Sequence, residues 1–221
     1  MRTVRQAIEL IQQEGSPRPL SPVLQPLGAC LDRVLAEEIV ADEDHPPFPK
    51  SLMDGYAVAF RGAGEPRRWT VVETIHAGQV PTVRLRPGES ARVMTGAPLP
   101  EGADAVIMLE QVQLGDDPTQ ILLPEEFGLR SGQNRLDRGR EIHAGDSVLR
   151  AGDRLTPPRL GLLAALGRTS VRIHPAPQVA ILPTGDELVE PGEQPAPGQI
   201  RNSNVTQLAA MARVWGAIPQ P

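Results

Sequence analysis

The spacing of apolar positions changes along the chain, and each change predicts a different kind of element. Near the N-terminus Val4, Ile8 and Ile11 fall on one helical face. Thr3 precedes them as a cap, with Gln6 three residues on as its reciprocal partner, and Gly15 is placed to end the helix. Ser16 to Leu27 is rich in proline and reads as a connection. A second helix is expected over much of Leu27 to Ala36, and Ile39 to Pro49 reads as extended. From Arg67 to Glu125 no helical period remains. TVVETIHAG, SARVMTGA, AVIMLEQVQL and QILLPEE are short, β-branched and bounded by Gly, Pro or Asp, which predicts strands. The AGD triplets at Ala144 and Ala151 predict a hairpin-like pair, a turn echo rather than a repeat architecture. Thr156 as cap and Pro157 and Pro158 in the first turn open a helix carrying Leu160, Leu163 and Leu166, closed by Gly167. Thr169 to His174 reads as a strand. Val179 to Leu182 is apolar without a break, as in a strand buried on both faces. A loop, then Arg201-Asn202-Ser203-Asn204, then the helical VTQLAAMARVWGA follow it. Strand, loop and capped helix in that order begin an α/β domain with a parallel sheet.

These elements predict an α+β multidomain fold. A helical and β N-terminal region is expected at 1–46 and 142–174, with an all-β domain inserted at 47–141. Pro175 and Pro177 mark a boundary, and 175–221 is the start of an α/β domain. The chain has 221 residues, 40% of them hydrophobic, enough for more than one core. Aromatics make up only 3%, so the cores rest on Leu, Val, Ile and Ala. Proline (24) and glycine (21) are spread among apolar segments, which favours many short strands and turns over disorder.

The formal charge is −5 and no basic run exists, which argues against a nucleic-acid groove. The one cysteine, Cys30, sits in LGACLDRVL and is expected to be a small core residue, in keeping with a reducing cytoplasm. The N-terminal MRTVRQAIELIQQEG is charged throughout and has no apolar signal core. No apolar run approaches the ~20 residues that cross a bilayer. The expectation is a soluble, cytoplasmic protein.

Three loops carry the candidate chemistry. The first is PPFPKSLMDGYAV, Pro46 to Val58, with the chain's one lysine, Lys50, and one tyrosine, Tyr56. Asp54-Gly55 is expected to form a tight turn with the glycine at positive φ. Phe48, Met53 and Tyr56 would give the Asp54 carboxylate a partly apolar wall. As an isolated pair, Asp-Gly marks a turn and nothing more, but two loops of similar build follow. In the second, Met94 to Pro98, Thr95 offers a hydroxyl and Gly96 lets a ligand approach the backbone. The third, Thr184 to Glu187, places Asp186 and Glu187 at the carboxyl end of a strand, where open α/β sheets bind ligands. Carboxylates without His or Cys neighbours suit a hard cation such as magnesium, which keeps waters and meets substrate phosphates. The four histidines are scattered without metal-ligand spacing, and no GxSxG elbow is present. The helix after Asn202 has a free N-terminus that either seats an anion or is simply capped by Ser203 or Asn204. The residues by themselves suggest a metal-assisted site for a phosphorylated anion, without identifying it.

Together the loops resemble one family, the molybdopterin molybdenumtransferases, which include MoeA and the gephyrin E domain. The matching stretches are PPFPKSLMDGYAV, ARVMTGAPLPEGADAVIMLEQ, the SGQN and RG segment from Ser131 to Glu141, AGDRLTPPRLGLLAALG, and VAILPTGDELVEPGEQPAPGQIRNSN. They run in the family's order over almost the whole chain. The resemblance implies that 175–221 begins a molybdopterin-binding domain. It implies insertion of molybdate into adenylylated molybdopterin with release of AMP, aided by Mg(2+), in a homodimer, with no nucleic-acid or membrane partner. It also implies roles for Asp54, Thr95, Glu187 and Glu141 as catalytic residues and for Asp54 and Glu187 as metal ligands. Thr184, Asp186, Ser203 and Asn204 are implied to bind the pterin substrate. Where the family reads GED, this chain has Gly139-Arg140-Glu141, so Glu141 stands in place of an aspartate one methylene shorter. The family's later loops and C-terminal domain lie outside these residues, so the chain is expected to hold only part of the active site. The alternative is a non-catalytic, dimerising scaffold piece or truncated paralogue of the same family.

Overall fold

The computed structural model describes residues 3–14, 20–60, 62, 67–115, 117 and 119–220. It is a mixed α and β structure with few helices. The chain forms two compact units, Met1–Ile39 with Leu149–Pro221, and Val40–Val148.

The unit Val40–Val148 is built on a curled six-stranded sheet. Its strand order is Ala105–Met108, Gly55–Val58, Glu89–Val93, Arg68–Ile75, Gln120–Leu122 and Gln113–Leu114. Neighbours are antiparallel except Arg68–Ile75 and Glu89–Val93, which are parallel with a register shift between Val71 and Glu73. The strands expected between Arg67 and Glu125 are therefore present, interrupted by a 3₁₀ turn at Leu109–Gln111. Successive side chains alternate between two buried faces. Tyr56 and Val58 pack with Trp69, Ile107 and Ile121, whereas Ala57 and Ala59 pack with Ile75, Val93 and Val106. Both faces are covered, which is why AVIM is apolar without alternation.

Two expectations for the first loop are corrected here. Gly55 is not a positive-φ turn residue; it is the first residue of strand Gly55–Val58. A Cβ at Gly55 would sit on the carbonyl oxygen of Ile107, so glycine is needed there for close strand approach. Tyr56 does not wall the loop, because its ring lies in the core at 5% exposure.

In the other unit, helix α1 (Val4–Glu14) opens with the expected capping box. The Thr3 N–H donates to Gln6 Oε1 at 2.9 Å and the Gln6 N–H to Thr3 Oγ1 at 3.3 Å. Gly15, expected to end the helix, lies outside the described residues. The helix expected over Leu27 to Ala36 does not form. Leu27–Ala29 is a 3₁₀ turn, Asp32 takes a left-handed φ of 61°, and Val34–Leu35 is a strand. The Leu35 N–H is taken by the carbonyl of Asp153, which leaves no helical bond for it to make. The proline-rich connection likewise contains a strand, Val23–Pro26, paired antiparallel with Ser170–His174, which also pairs with Val34–Leu35. Leu35, Leu155, Leu163, Val171 and Cys30 are buried in this unit. Burial pushes the Cys30 thiol pKa up, and its Sγ donates to the Pro26 carbonyl.

Helix α2 (Pro157–Ala165) has Thr156 at its N-cap position, but the Thr156 side chain makes no capping bond. Its two prolines fill first-turn positions whose N–H groups need no helical partner. The AGD triplets form matching turns. Asp146 and Asp153 each accept from the backbone N–H three residues earlier, His143 and Arg150, both at 2.8 Å. They do not pair as a hairpin. The Gly145 N–H bonds to Ala41 and the Gly152 N–H to Leu35.

Strand Gln178–Ala180 pairs in parallel with Ile218–Gln220, and helix α3 (Ser203–Val214) lies between them in sequence. The expected strand buried on both faces is not found. Val179 is 39% exposed and Leu182 83% exposed. With one neighbouring strand and one covering helix, a parallel ribbon leaves a face open. No helix among the described residues is long and apolar enough to cross a membrane.

Candidate functional site

The first and second loops meet. Ser51 is buried and its hydroxyl bonds to the backbone of Met53, which shapes the turn ahead of Asp54. The Ser51 N–H donates to the Ala97 carbonyl and the Gly96 N–H to the Ser51 carbonyl, at 3.0 and 2.8 Å. These bonds set Thr95 beside Asp54, with Gly96 turning the chain at a φ of 79° that favours glycine. The Thr95 N–H and hydroxyl both donate to Asp54 Oδ1, at 2.6 and 2.9 Å. No donor among the described residues reaches Oδ2. The two Thr95 bonds, backbone first, hold the Asp54 carboxyl below the usual carboxylate range, and the charge of Arg92 adds to them. Asp54 is therefore an exposed, ionised carboxylate with one oxygen fixed and the other without a donor among the described residues.

The third loop is arranged differently. Thr184, Asp186 and Glu187 are exposed and make no side-chain hydrogen bond among the described residues. Gly185 has a φ of 145°, and the Glu187 carboxylate folds back over it. A Cβ at Gly185 would meet Glu187 Oε2 at 2.6 Å and Oε1 at 2.7 Å. The Glu187 carbonyl accepts from Ile200 and the Val189 carbonyl from Asn202, which ties the loop to the segment entering α3. The cap of that helix is Asn202, not Ser203 or Asn204. Asn202 is buried and its Oδ1 accepts from the Val205 N–H at 3.3 Å. Ser203 and Asn204 are the first two helical residues, so their N–H groups, rather than their side chains, are the donors there.

Glu141 lies on a third element. Its N–H and that of Ile142 donate to the His45 carbonyl, while its carboxylate bonds to nothing among the described residues. No hydrogen bond or ion pair joins it to Asp54. Sequence reasoning missed its neighbour Asp44, which organises this segment. Asp44 accepts from Arg138 Nε at 2.7 Å and from the Ala144 N–H at 2.9 Å. Those bonds, backbone first, hold its carboxyl below the usual range. Nothing in the local pattern around Asp44 marks it, because both partners lie about a hundred residues away in sequence.

The free oxygens of Asp54 and Glu187 are hard donors suited to magnesium. Among the described residues no three His, Cys, Asp or Glu side chains converge to hold a metal ion. Each carboxylate is thus suited to contribute one ligand to a shell completed by water and substrate oxygens.

Residues 2–167 match the family described as the MoeA N-terminal region, domains I and II. A molybdopterin molybdenumtransferase of Bacillus subtilis is 38% identical over 198 residues, covering 87% of this chain and 46% of that protein. One of Staphylococcus aureus is 36% identical over 218 residues, covering 96% and 51%. The crystal structure of the molybdopterin biosynthesis MoeA protein of Pyrococcus horikoshii OT3 superposes with a TM-score of 0.82 at 32% identity, covering 98% of this chain and 57% of that one. The chain spans about half the length of the curated relatives it matches.

Proposed function

The chain belongs to the MoeA family, whose N-terminal region it carries, and on that premise we propose that it serves molybdenum cofactor biosynthesis as part of a molybdopterin molybdenumtransferase. The reaction is insertion of molybdate into adenylylated molybdopterin with release of AMP. The observation that carries this reading is the Asp54–Thr95 pair, which keeps a carboxylate ionised and fixes one of its oxygens with two donors. A fixed anionic oxygen of this kind orients a cation or a hydrated substrate without reorganising. Glu187 and Glu141 are the further carboxylates of this reading, though no hydrogen bond among the described residues fixes either of them. Thr184, Asp186 and the first residues of α3, Ser203 and Asn204, bind the pterin substrate, the N–H groups of α3 taking its anionic end. Asp54 and Glu187 would each lend one carboxylate oxygen to a magnesium ion, which would supply charge neutralisation at phosphate and molybdate oxygens. The working form is a cytoplasmic homodimer in which the partner subunit supplies the carboxylate facing Asp54. No observation favours the alternative of a non-catalytic scaffold piece.

The test is an insertion assay on the complete protein with adenylylated molybdopterin, molybdate and magnesium. AMP release and molybdenum incorporation are followed together for the wild type and for Asp54→Asn. The reading expects both to fall together in the variant. Equal rates in the two proteins would remove Asp54 from the reaction.

A further inference from the structure

Asn134 ties the turn that carries Asp54 to the buried sheet. It closes the segment Gly128–Asn134, which with Met108 lines an open hollow of about 570 Å³. Met108 is the cross-strand partner of Gly55, the residue after Asp54. Asn134 takes a left-handed φ of 55°, a conformation that L residues adopt at a cost and that asparagine tolerates best after glycine.

From that conformation Asn134 makes two bonds in different directions. Its Nδ2 donates to the carbonyl of Val106 at 3.0 Å, and its own carbonyl accepts from the Leu52 N–H at 2.9 Å. The preceding carbonyl, of Gln133, accepts the Val106 N–H at 2.9 Å. Val106 is fully buried in the strand beside Gly55–Val58, so it is a fixed point of the core. Leu52 lies two residues before Asp54. The side chain of Asn134 therefore grips the sheet while its backbone grips the turn. Glycine would accept the φ but lacks the amide; alanine lacks the amide and resists the φ. Gly96 N–H to the Ser51 carbonyl and Leu109 N–H to the Asp54 carbonyl also tie this turn, from other segments, and strand Arg135–Leu136, directly after Asn134, pairs with Lys50–Ser51 just before it.

We propose that Asn134 is a positioning residue: it sets the turn Leu52 to Asp54 so that Oδ1 meets both donors of Thr95 and Oδ2 stays open to a ligand. Its consequence for the reaction rests on the reading of Asp54 given above, whereas its effect on the Asp54–Thr95 geometry does not.

The two parts separate in one experiment. Asn134→Gly and Asn134→Ala are compared with the wild type by NMR, following the Asp54 carboxyl titration and the Thr95 amide proton. A role confined to general stability would leave both signals in place in the folded protein. The expected result is graded: the Asp54 pKa moves toward the ordinary carboxylate range and the Thr95 amide moves upfield, more in the alanine variant than in the glycine one. Wild-type values for both signals in both variants overturn the proposal. Where the alanine variant does not fold, the glycine variant alone decides, since it keeps the backbone conformation. The same substitutions in the complete protein are expected to lower kcat for molybdate insertion by about 10-fold to 100-fold, with little change in KM. Shifted NMR signals with an unchanged kcat would uphold the positioning and overturn the role of Asp54 in the reaction.

Discussion

Thr95 spends both of its donors on one oxygen of Asp54, at 2.6 and 2.9 Å, and the other oxygen has no partner among the described residues. The two residues are 41 positions apart in sequence, so the pairing exists only because strand Gly55–Val58 lies beside strand Glu89–Val93. Donors concentrated on one oxygen favour the ionised carboxylate and fix its plane.

Removing the hydroxyl should therefore shift the Asp54 titration without abolishing the pairing. In Thr95→Val the backbone N–H, the larger cause of the depressed pKa, remains. The Asp54 pKa is expected to rise part of the way toward the ordinary value of about 4, and Thr95→Ser to restore it. A depressed carboxylate contributes stability that is present above its unfolded pKa and lost as pH falls through its folded pKa. The difference in melting temperature between wild type and Thr95→Val is thus expected to be constant at neutral pH and to vanish in acid. A difference that persisted below the folded pKa would mean that the hydroxyl acts through packing instead.

Asp54→Asn should separate activity from stability. The amide oxygen can still accept from Thr95, and the residue is exposed, so the melting temperature should change little. Molybdate insertion by the complete protein should fall about 100-fold or more, because the charge rather than the shape is lost. A lowered melting temperature with unchanged insertion would make Asp54 a turn residue only.

How much of this was legible in the sequence depended on how local the determinant was. The Thr3–Gln6 box, the short β-branched strands between Arg67 and Glu125 and the Gly167 stop are written in neighbouring residues, and each is found. Leu27 to Ala36 has a helical apolar spacing, but its backbone bonds are taken by Asp153 and Leu155, far along the chain. Gly55 reads as a turn glycine because the Ile107 carbonyl that requires it lies 52 positions away. Val179 to Leu182 has the composition of a buried strand, yet composition does not say how many neighbours the strand has. In the site, the three loops stood out by residue type, whereas Asp44 and the amide of Asn134 act through long-range bonds that leave no local pattern.

Gly55→Ala is expected to disrupt the unit Val40–Val148. The added methyl would occupy the Ile107 carbonyl oxygen, and neither backbone can retreat because both strands are hydrogen-bonded within the sheet. Overpacking against main chain usually costs about 1–3 kcal/mol, and here the upper end or more is expected. Chemical denaturation followed at Trp69, which is buried in the same core, reports it. A variant as stable as the wild type would show that the two strands can separate there without loss.

Glu187 offers a test in which geometry changes and charge does not. Its carboxylate occupies the space where a side chain at Gly185 would begin, within 2.8 Å of a Cβ built there. In Gly185→Ala the methyl must displace it, and since the obstructing atoms are the end of a flexible side chain, the carboxylate can swing away rather than unfold the loop. The substitution also asks alanine to hold a φ of 145°, which adds local strain but leaves α3 and its Asn202 cap intact. If Glu187 acts on the cation or on molybdate, moving it by an ångström or more should lower insertion by the complete protein about 100-fold. Glu187→Gln, which keeps the shape and removes the charge, should lower it at least as far and weaken magnesium binding measured by calorimetry. Magnesium affinity that drops in Glu187→Gln but holds in Gly185→Ala would show that the swung carboxylate still reaches the cation. Full insertion activity in both variants would place the site elsewhere than at this loop.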